Sequence, residues 1–411
     1  MYIKKSNFLF ILIFFLGIGN VNGQFRLKGK VVDAESFQAL EFATVFINNS
    51  TFGDITDRNG TFQIDIPPGS YELVISYLGY QTFSFPFNTS TIRESYEFRI
   101  LPEPIELEET QVSEKRDKTW YANLEIFKAN FLGTSINGLR CKLLNPEVLI
   151  LDNETDKNVL FAKSKGILEI ENPNLGYNIK YLLEGFELNL QNNVLRFVGY
   201  PYFIEEKIQR RRLARVQKER DRAYHGSTIH FISALYNDSL EQEGFVINKA
   251  ENIPNPNRPS DEEIQQAINL LSETSSFLEK DNLKSIIQKQ SLPKDIESFS
   301  EVILKRNELI EKARNGFIFL TYGQPFFINY TNEKEEPAYH DSLGKGPKQT
   351  LVVQTASLNY QFSKIHMTGK ALRIFEDGSY FHPYDLFIEG YMAWERIGDQ
   401  MPLNYLPGVN D

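Results

Sequence analysis

Cysteine is nearly absent from this 411-residue chain: Cys141 stands alone, so no intrachain disulfide can form. Its setting, Gly138-Leu139-Arg140-Cys141-Lys142-Leu143-Leu144, is largely apolar and marks a buried, inert thiol. A catalytic thiol would need a neighbouring base, and none is identifiable. Basic charge is also in deficit, with 44 Lys and Arg against 54 Asp and Glu and a net charge of −10. That balance excludes general nucleic-acid binding, because phosphate contacts need a basic surface. His-Glu-x-x-His and His-x-x-Glu patterns are missing, as is Gly-x-Ser-x-Gly, so neither a zinc peptidase nor a nucleophile elbow is signalled. Beyond the first 18 residues no apolar run is long enough to cross a bilayer as a helix.

Those first residues are the clearest signal present. Lys4 and Lys5 precede an apolar run from Phe8 to Ile18, and Val21-Asn22-Gly23 follows. This is the layout of a secretory signal peptide over residues 1–23, cleaved after Gly23. An uncleaved anchor is the alternative, and the shortness of the run counts against it. No cysteine follows the run, which excludes a lipoprotein anchor at this site. Loss of Lys4 and Lys5 leaves 42 basic and 54 acidic side chains, a net −12. The expected location is the periplasm or the outer membrane's inner side.

Aromatics are plentiful, with 32 Phe and 20 Tyr, which favours half-buried strands. From residue 24 to 112 short strands alternate with turn residues. Phe25–Val32 and Ala43–Ile47 read as strands, and Asp57-Arg58-Asn59-Gly60 as a tight turn. Thr61–Ile66 and Tyr71–Tyr77 alternate polar and apolar, broken by Pro67-Pro68-Gly69 and Gly79. Ser84-Phe85 and Tyr96–Leu101 supply more strand, so the pattern predicts a sandwich. Asp54, Asp57 and Asn59 gather near one loop, as calcium ligands can, but no bidentate Glu stands at EF-hand spacing. The turn explains them better.

Five submotifs in this stretch carry a resemblance. They are Gly29-Lys30-Val31-Val32-Asp33, Leu40-Glu41-Phe42-Ala43-Thr44-Val45, Thr56-Asp57-Arg58-Asn59-Gly60-Thr61-Phe62, Pro68-Gly69-Ser70-Tyr71 and Ser76-Tyr77-Leu78-Gly79-Tyr80. In order and spacing they resemble the carboxypeptidase regulatory-like domain. The resemblance implies a seven-stranded, transthyretin-like β-sandwich that is not itself catalytic. Such domains accompany metallocarboxypeptidases and precede the plug of many TonB-dependent outer-membrane receptors. A receptor barrel would need many alternating ten-residue strands, whereas the roughly 290 residues left here carry strong helices.

Residues 113–118 read as a charged linker, and 119–411 as an α+β region with an antiparallel sheet, with a division expected near 245–260. The chain as a whole is thus expected to be mainly β with some α. Trp120, Leu124, Phe127 and Phe131 share one helical face, ended by Gly133. Strands are expected through Glu147–Tyr200. The stretch Glu205–Arg222 has a helix's composition and holds Arg210, Arg211, Arg212, Arg215, Arg220 and Arg222 with Lys207 and Lys218. It offers either an anion-binding site or a solvated face neutralised by Glu205, Glu206, Glu219 and Asp221. Gly226-Ser227 looks like a helix N-cap, placing His230, Phe231 and Leu235 on a helix that Gly244 can end. His225 and His230 lack a metal-ligand partner in sequence; for His230 a core or capping role is expected. Ser260-Asp261-Glu262-Glu263 is a capping box opening a helix with Ile264, Ala267, Ile268 and Leu271 on its apolar face. A second helix is expected over Lys294–Arg314. Strands return at Phe317–Leu320, Pro325–Ile328, Thr350–Gln354 and Ile365–Ile374, with a turn at Asp377-Gly378. His382, Asp385, Glu389 and Trp394 follow, and Asp385 with Glu389 would be the paired acids of a glycosidase if they faced each other. The segment Arg396–Pro407 reads as an ordered arm.

The layout from Trp120 through His230-Phe231 to Pro402 and Tyr405 also resembles longer exported bacterial proteins known only for their regulatory-like domain, which carry no activity to transfer. No catalytic, cofactor-binding or metal residue is assigned, and no cofactor is expected. The expected function is a non-enzymatic cell-envelope protein with a binding or scaffolding role, its partner an envelope protein or glycan. A peptide or glycan hydrolase with its site in residues 120–411, and a periplasmic partner of a TonB-dependent receptor, are the alternatives. Asp238-Ser239-Leu240 and Asp341-Ser342-Leu343 further resemble an O-glycosylation sequon.

Overall fold

The structure, a computed structural model, describes residues 24–103, 116–343, 360–381 and 383–408. The signal-peptide reading, linker residues 113–115, the strand expected at Thr350–Gln354 and His382 lie outside them. The protein is mainly β with several antiparallel sheets and supporting helices.

The first body is a sandwich. Its strands are β1 (Phe25–Asp33), β2 (Thr44–Ile47), β3 (Gly53–Ile55), β4 (Thr61–Ile66), β5 (Ser70–Ser76), β6 (Phe83–Asn88) and β7 (Tyr96–Ile100). One sheet runs β4-β1-β7 and the other β3-β2-β5-β6. The alternation read in Thr61–Ile66 is realised, because Phe62, Ile64 and Ile66 are buried and the residues between them are not. They share a core with Leu27 and Val31 of neighbouring β1 and with Val45, Ile47, Leu73 and Ile75 of the facing sheet. Gly60 takes φ +74° at the β3–β4 turn, and a Cβ there would stand 2.5 Å from the Val31 carbonyl.

The second body begins with α1 (Lys118–Phe131), capped by the Asp117 side chain. Around it lie β8 (Lys142–Leu143), β9 (Leu149–Asp152), β10 (Val159–Ser164), β11 (Leu168–Asn172), β12 (Tyr177–Asn189) and β13 (Leu195–Glu205). Long β12 is the spine. It pairs with β11 along its first half, with β10 along its second, and with β13 on its other edge. The helical face read from the sequence buries Phe127 and Phe131 against Phe186, Tyr181 and Phe197, at ring separations of 4.8, 4.9 and 5.5 Å.

Two helices, α2 (Arg210–Tyr224) and α3 (Thr228–Asn237), lead into the third body. Ser227 caps α3 as expected. The helix ends earlier than expected: Asp238, in the left-handed region at φ +59°, closes it, while Gly244 serves the following turn. Next come β14 (Phe245–Pro254), α4 (Asp261–Glu273), α5 (Phe277–Gln288) and β15 (Asp295–Ile303). A one-turn α6 (Arg306–Leu309), β16 (Ile310–Lys312), β17 (Ile318–Leu320), β18 (Phe326–Tyr330) and α7 (Pro337–Leu343) follow. The body finishes with β19 (Gln361–Met367), β20 (Leu372–Ile374), β21 (Leu386–Gly390) and α8 (Tyr391–Trp394). Its sheets run β15-β14-β18-β19-β21 and β16-β17-β20. They share a core with Phe231, Ile232 and Leu235 of α3.

Two expectations are corrected here. The helix expected over Lys294–Arg314 is strand β15 followed by α6 and β16. Pairing of Phe299 with Ala250 across some fifty residues overrides the local helical composition. The expected strand Ile365–Ile374 is two strands in different sheets, parted at the turn around Gly369. The cores of the second and third bodies change over between Ala223 and Phe231, and residues 245–260 hold β14 and the foot of a helical hairpin.

The arm after α8 returns to the second body, where Ile397 and Met401 enter the core. It also reaches the sandwich. The β2–β3 turn is stapled by hydrogen bonds from Asn49 N to Pro201 O (2.8 Å), Phe203 N to Ser50 O (2.9 Å) and Leu403 N to Asn49 O (2.8 Å). Thr51 N donates to Asn404 Oδ1 (3.0 Å). Tyr202 stacks on Phe46 at 5.3 Å, and a Cβ on Gly53 would stand 2.6 Å from its ring, so glycine permits this contact.

Candidate functional site

Between β14 and β15 the chain makes an antiparallel helical hairpin, α4 and α5. Buried Asn255 holds its feet together: Nδ2 donates to Pro293 O (3.0 Å), its backbone N donates to Lys294 O (2.8 Å), and Oδ1 accepts from Asn257 N (3.0 Å). The predicted capping box starts α4, with Ser260 Oγ accepting from Glu263 N (3.1 Å) and Glu263 Oε2 accepting from Ser260 N (2.8 Å). Only Ile264 and Ala267 of α4 are buried, and no residue of α5 is. At the tip, Phe277 and Leu278 are 76% and 77% exposed.

Two adjoining clefts sit at this hairpin's base and share Asn257. One, of about 440 Å³, runs between α4 and α5 past Leu270, Leu283 and Ile286. The other, of about 230 Å³, lies between the hairpin's foot and the sheet, lined by Asn255, Glu297, Phe327, Lys364 and Glu389. There Lys364, 13% exposed, bonds Glu297 (2.5 Å) and Glu389 (3.1 Å). Burial works to lower its pKa, but the two carboxylates outweigh that and hold it above the ordinary lysine value. A permanently charged ammonium is no nucleophile, since a nucleophilic lysine needs a depressed pKa. Phe327 stacks on Phe362 at 5.2 Å, with Phe299 edge-on at 5.8 Å. The cleft therefore offers two lysine-paired carboxylates beside the Phe327 ring.

The residues singled out from the sequence are not brought together. Glu389 lies in this cleft, while Asp385 stands against Gly369 and its backbone carbonyl accepts from Thr368 N (2.9 Å). Glu389's acidic neighbour is Glu297, from a strand that the sequence reading made a helix. Buried His230 accepts at Nδ1 from Gly226 N (3.1 Å), so Nε2 carries the proton toward Glu243 (3.2 Å). Its ring packs on Tyr224 (5.0 Å), Phe245 (4.8 Å) and His225 (5.3 Å). Burial lowers its pKa to about 4, which makes it a neutral core histidine. Cys141, 8% exposed, has its thiol pushed up to about 12, first by burial and then by the field of Asp399. Asp57 accepts from Asn59 N (2.9 Å) and Thr61 N (2.8 Å), and Asp54 from Gln63 N (2.8 Å). These carboxylates serve the turn. Ser342 Oγ donates to Tyr339 O (2.6 Å), and Ser239 sits just past the α3 cap.

The basic stretch divides. Arg212 donates to Pro173 O (2.8 Å), and Arg220 lies 4.1 Å over the Tyr177 ring and donates to Leu175 O (2.7 Å). Arg222 pairs with Glu219 (2.9 Å) and with Glu336. Arg222 also faces Glu333, Glu395 and Asp399, whose pKa values burial pushes up. Asp399 takes hydrogen bonds from Ser135 (2.6 Å) and Asn137 (3.0 Å). This buried knot, tying α2 to the 333–336 segment and the arm, gave no signal in the sequence. Its members come from four distant stretches. Among the described residues no group of three or more His, Cys, Asp or Glu could hold a metal ion. No helix among them is long and apolar enough to cross a membrane.

Comparison with known proteins bears on the sandwich. Residues 27–112 match the family model of the CarboxypepD_reg-like domain. The first domain is a carboxypeptidase regulatory-like domain. The match ends before α1, so it bears on the sandwich alone. No curated protein matches significantly. Among solved structures, a cohesin–X-dockerin complex from Acetivibrio cellulolyticus is similar at 21% identity, over 28% of this chain and 79% of that one, TM-score 0.15. A 9R-lipoxygenase from Cyanothece PCC8801 is similar at 10% identity over 52% and 48%, TM-score 0.18. A protein of unknown function from Bacteroides fragilis NCTC 9343 is similar at 9% over 89% and 94%, TM-score 0.16. At these TM-scores the likenesses carry no argument about fold or function.

Proposed function

We propose that this is a non-enzymatic protein of the cell envelope with a binding or scaffolding role, and that the α4–α5 hairpin is its contact element. The carrying observation is the hairpin itself. It leaves the sheet between two paired strands, buries almost nothing, and ends in two adjacent apolar side chains exposed to water. An element that adds so little to the core is better explained by contact with something else. The clefts at its base add polar acceptors and the Phe327 ring to that surface. The titratable groups that a hydrolase would use serve other purposes: His230 is a neutral core residue and Cys141 a buried thiol. The envelope location rests on the export signal read at residues 1–23.

A photo-crosslinking residue placed at Phe277 tests the proposal in living cells. A discrete higher-mass adduct is expected there and not at Leu139, which is 72% exposed on the second body. Absence of an adduct at 277, or recovery of intact protein from the cytoplasm, defeats the reading.

A further inference from the structure

Three of the four acids of the basic stretch are engaged by other groups. Glu205 pairs with Arg220 (3.1 Å), Glu219 with Arg222, and Asp221 accepts from the Tyr405 hydroxyl (2.6 Å). The inward arginines 212, 220 and 222 are likewise taken up by the fold. Lys207, Arg210, Arg211, Arg215 and Lys218 remain, all exposed, and among the described residues none has an acidic partner. The solvated-face reading of the sequence needed acids to neutralise these bases; Glu205, Glu219 and Asp221 are engaged by other groups, and Glu206 makes no ion pair with any of the five bases.

Arg211, Arg215 and Lys218 follow one helical face at spacings of four and three, with Arg210 beside them. Like charges at these spacings repel, and no acidic residue in the first turn offsets them against the helix dipole. The row is therefore a standing cost to the fold. From Arg210 to Lys218 it runs about 12 Å along α2 at about 1.5 Å per residue. Four of the five charges are spread along α2, with Lys207 just ahead of it, a shape that suits an extended anionic face better than a single small anion. The rest of the chain carries a net negative charge, so an anionic surface would repel it on balance and favour approach through α2.

We infer that the outer face of α2 docks the protein on a bilayer surface rich in anionic headgroups. The attraction is electrostatic, and no part of the chain needs to enter the hydrocarbon core. A base near such a surface contributes about a fivefold gain in partition. Flotation of the mature chain tests the inference, using vesicles of phosphatidylcholine alone or mixed in equal parts with phosphatidylglycerol. Binding is expected only to the mixed vesicles, and raised salt should release it. The double variant Arg211→Gln/Arg215→Gln should partition about thirtyfold more weakly, from two charges at about fivefold each. Lysine at both positions should retain binding, and circular dichroism should show all variants folded. Lys163→Gln/Lys165→Gln, the same charge change at exposed residues elsewhere, should bind as the parent does. Equal binding to both vesicles, no binding to either, or equal loss from the control variant overturns the inference. Full competition by millimolar inorganic phosphate at constant ionic strength also overturns it, because that marks a single-anion site.

Discussion

Acidification should weaken the third body through one histidine. In the folded chain His230 is held neutral, because Gly226 N–H points at Nδ1 and protonating that nitrogen would set two donors against each other. Burial lowers its pKa to about 4, while His225 opposes and Glu243 favours the charged form. An unfolded histidine titrates near 6.5, so below that pH the unfolded chain takes up a proton that the folded chain refuses. The stabilisation is complete above pH 6.5, declines as the pH falls, and is gone by about pH 4. The difference of about 2.5 pH units corresponds to about 3 kcal/mol. Neighbouring carboxyls act in the opposite sense. Glu333, Glu395 and Asp399 have raised pKa values, so the folded state gains from their protonation as the pH falls. The measurement must therefore be a difference. His230→Gln keeps a donor toward Glu243 and removes the titration. At pH 7.5 the variant should be the less stable, having lost ring contacts with Tyr224 and Phe245. Urea unfolding followed by tryptophan fluorescence at pH 7.5, 6, 5 and 4 should show that deficit narrowing by about 3 kcal/mol. A deficit that stays constant across the range refutes the reasoning.

Other outcomes are expected from the same contacts. Arg220→Ala should destabilise the second body by about 3 kcal/mol, because it leaves the Leu175 and Gly176 carbonyls and the Tyr177 ring without their cation; thermal unfolding reads this. Asn49→Val should strain a left-handed backbone position and remove the Gln400 contact at 3.1 Å. Hydrogen exchange should then rise at residues 200–204 and 400–404 while the three cores stay protected. Cys141 should resist a maleimide at pH 7.5 and react fully in urea; labelling within seconds in the native state would contradict its burial.

What could be read from the sequence was what depends on near neighbours. The sandwich strands are joined by short turns whose Asn, Asp, Gly and Pro residues announce themselves, and the alternation in Thr61–Ile66 states which face is buried. The α1 stripe and the Ser227 and Ser260 caps are equally local. Strand β15 was misread because its charged residues suit a helix, and only its distant partner β14 makes it a strand. The same error hid helix α5 and Glu297, and with them the cleft. The meeting of Lys364 with Glu297 and Glu389, and of Arg222 with Glu336, depends on pairings across 25 to 114 residues that no local pattern encodes. The sequence showed that the basic stretch was a helix but not which bases it leaves outward, because that depends on where the acids find other partners.

The staple at Asn49 has a mechanical consequence. It joins the sandwich directly to the arm at Leu403 and Asn404, so the molecule closes into a ring with the third body carried on the loop between. A pull applied between β1 and the segment beyond Tyr405 is borne by those few hydrogen bonds first. Until they part, the hairpin and its clefts carry no load. Stretching single molecules should therefore show an early rupture that parts the sandwich from the arm, after which the load passes to the arm's packing on the second body through Ile397 and Met401.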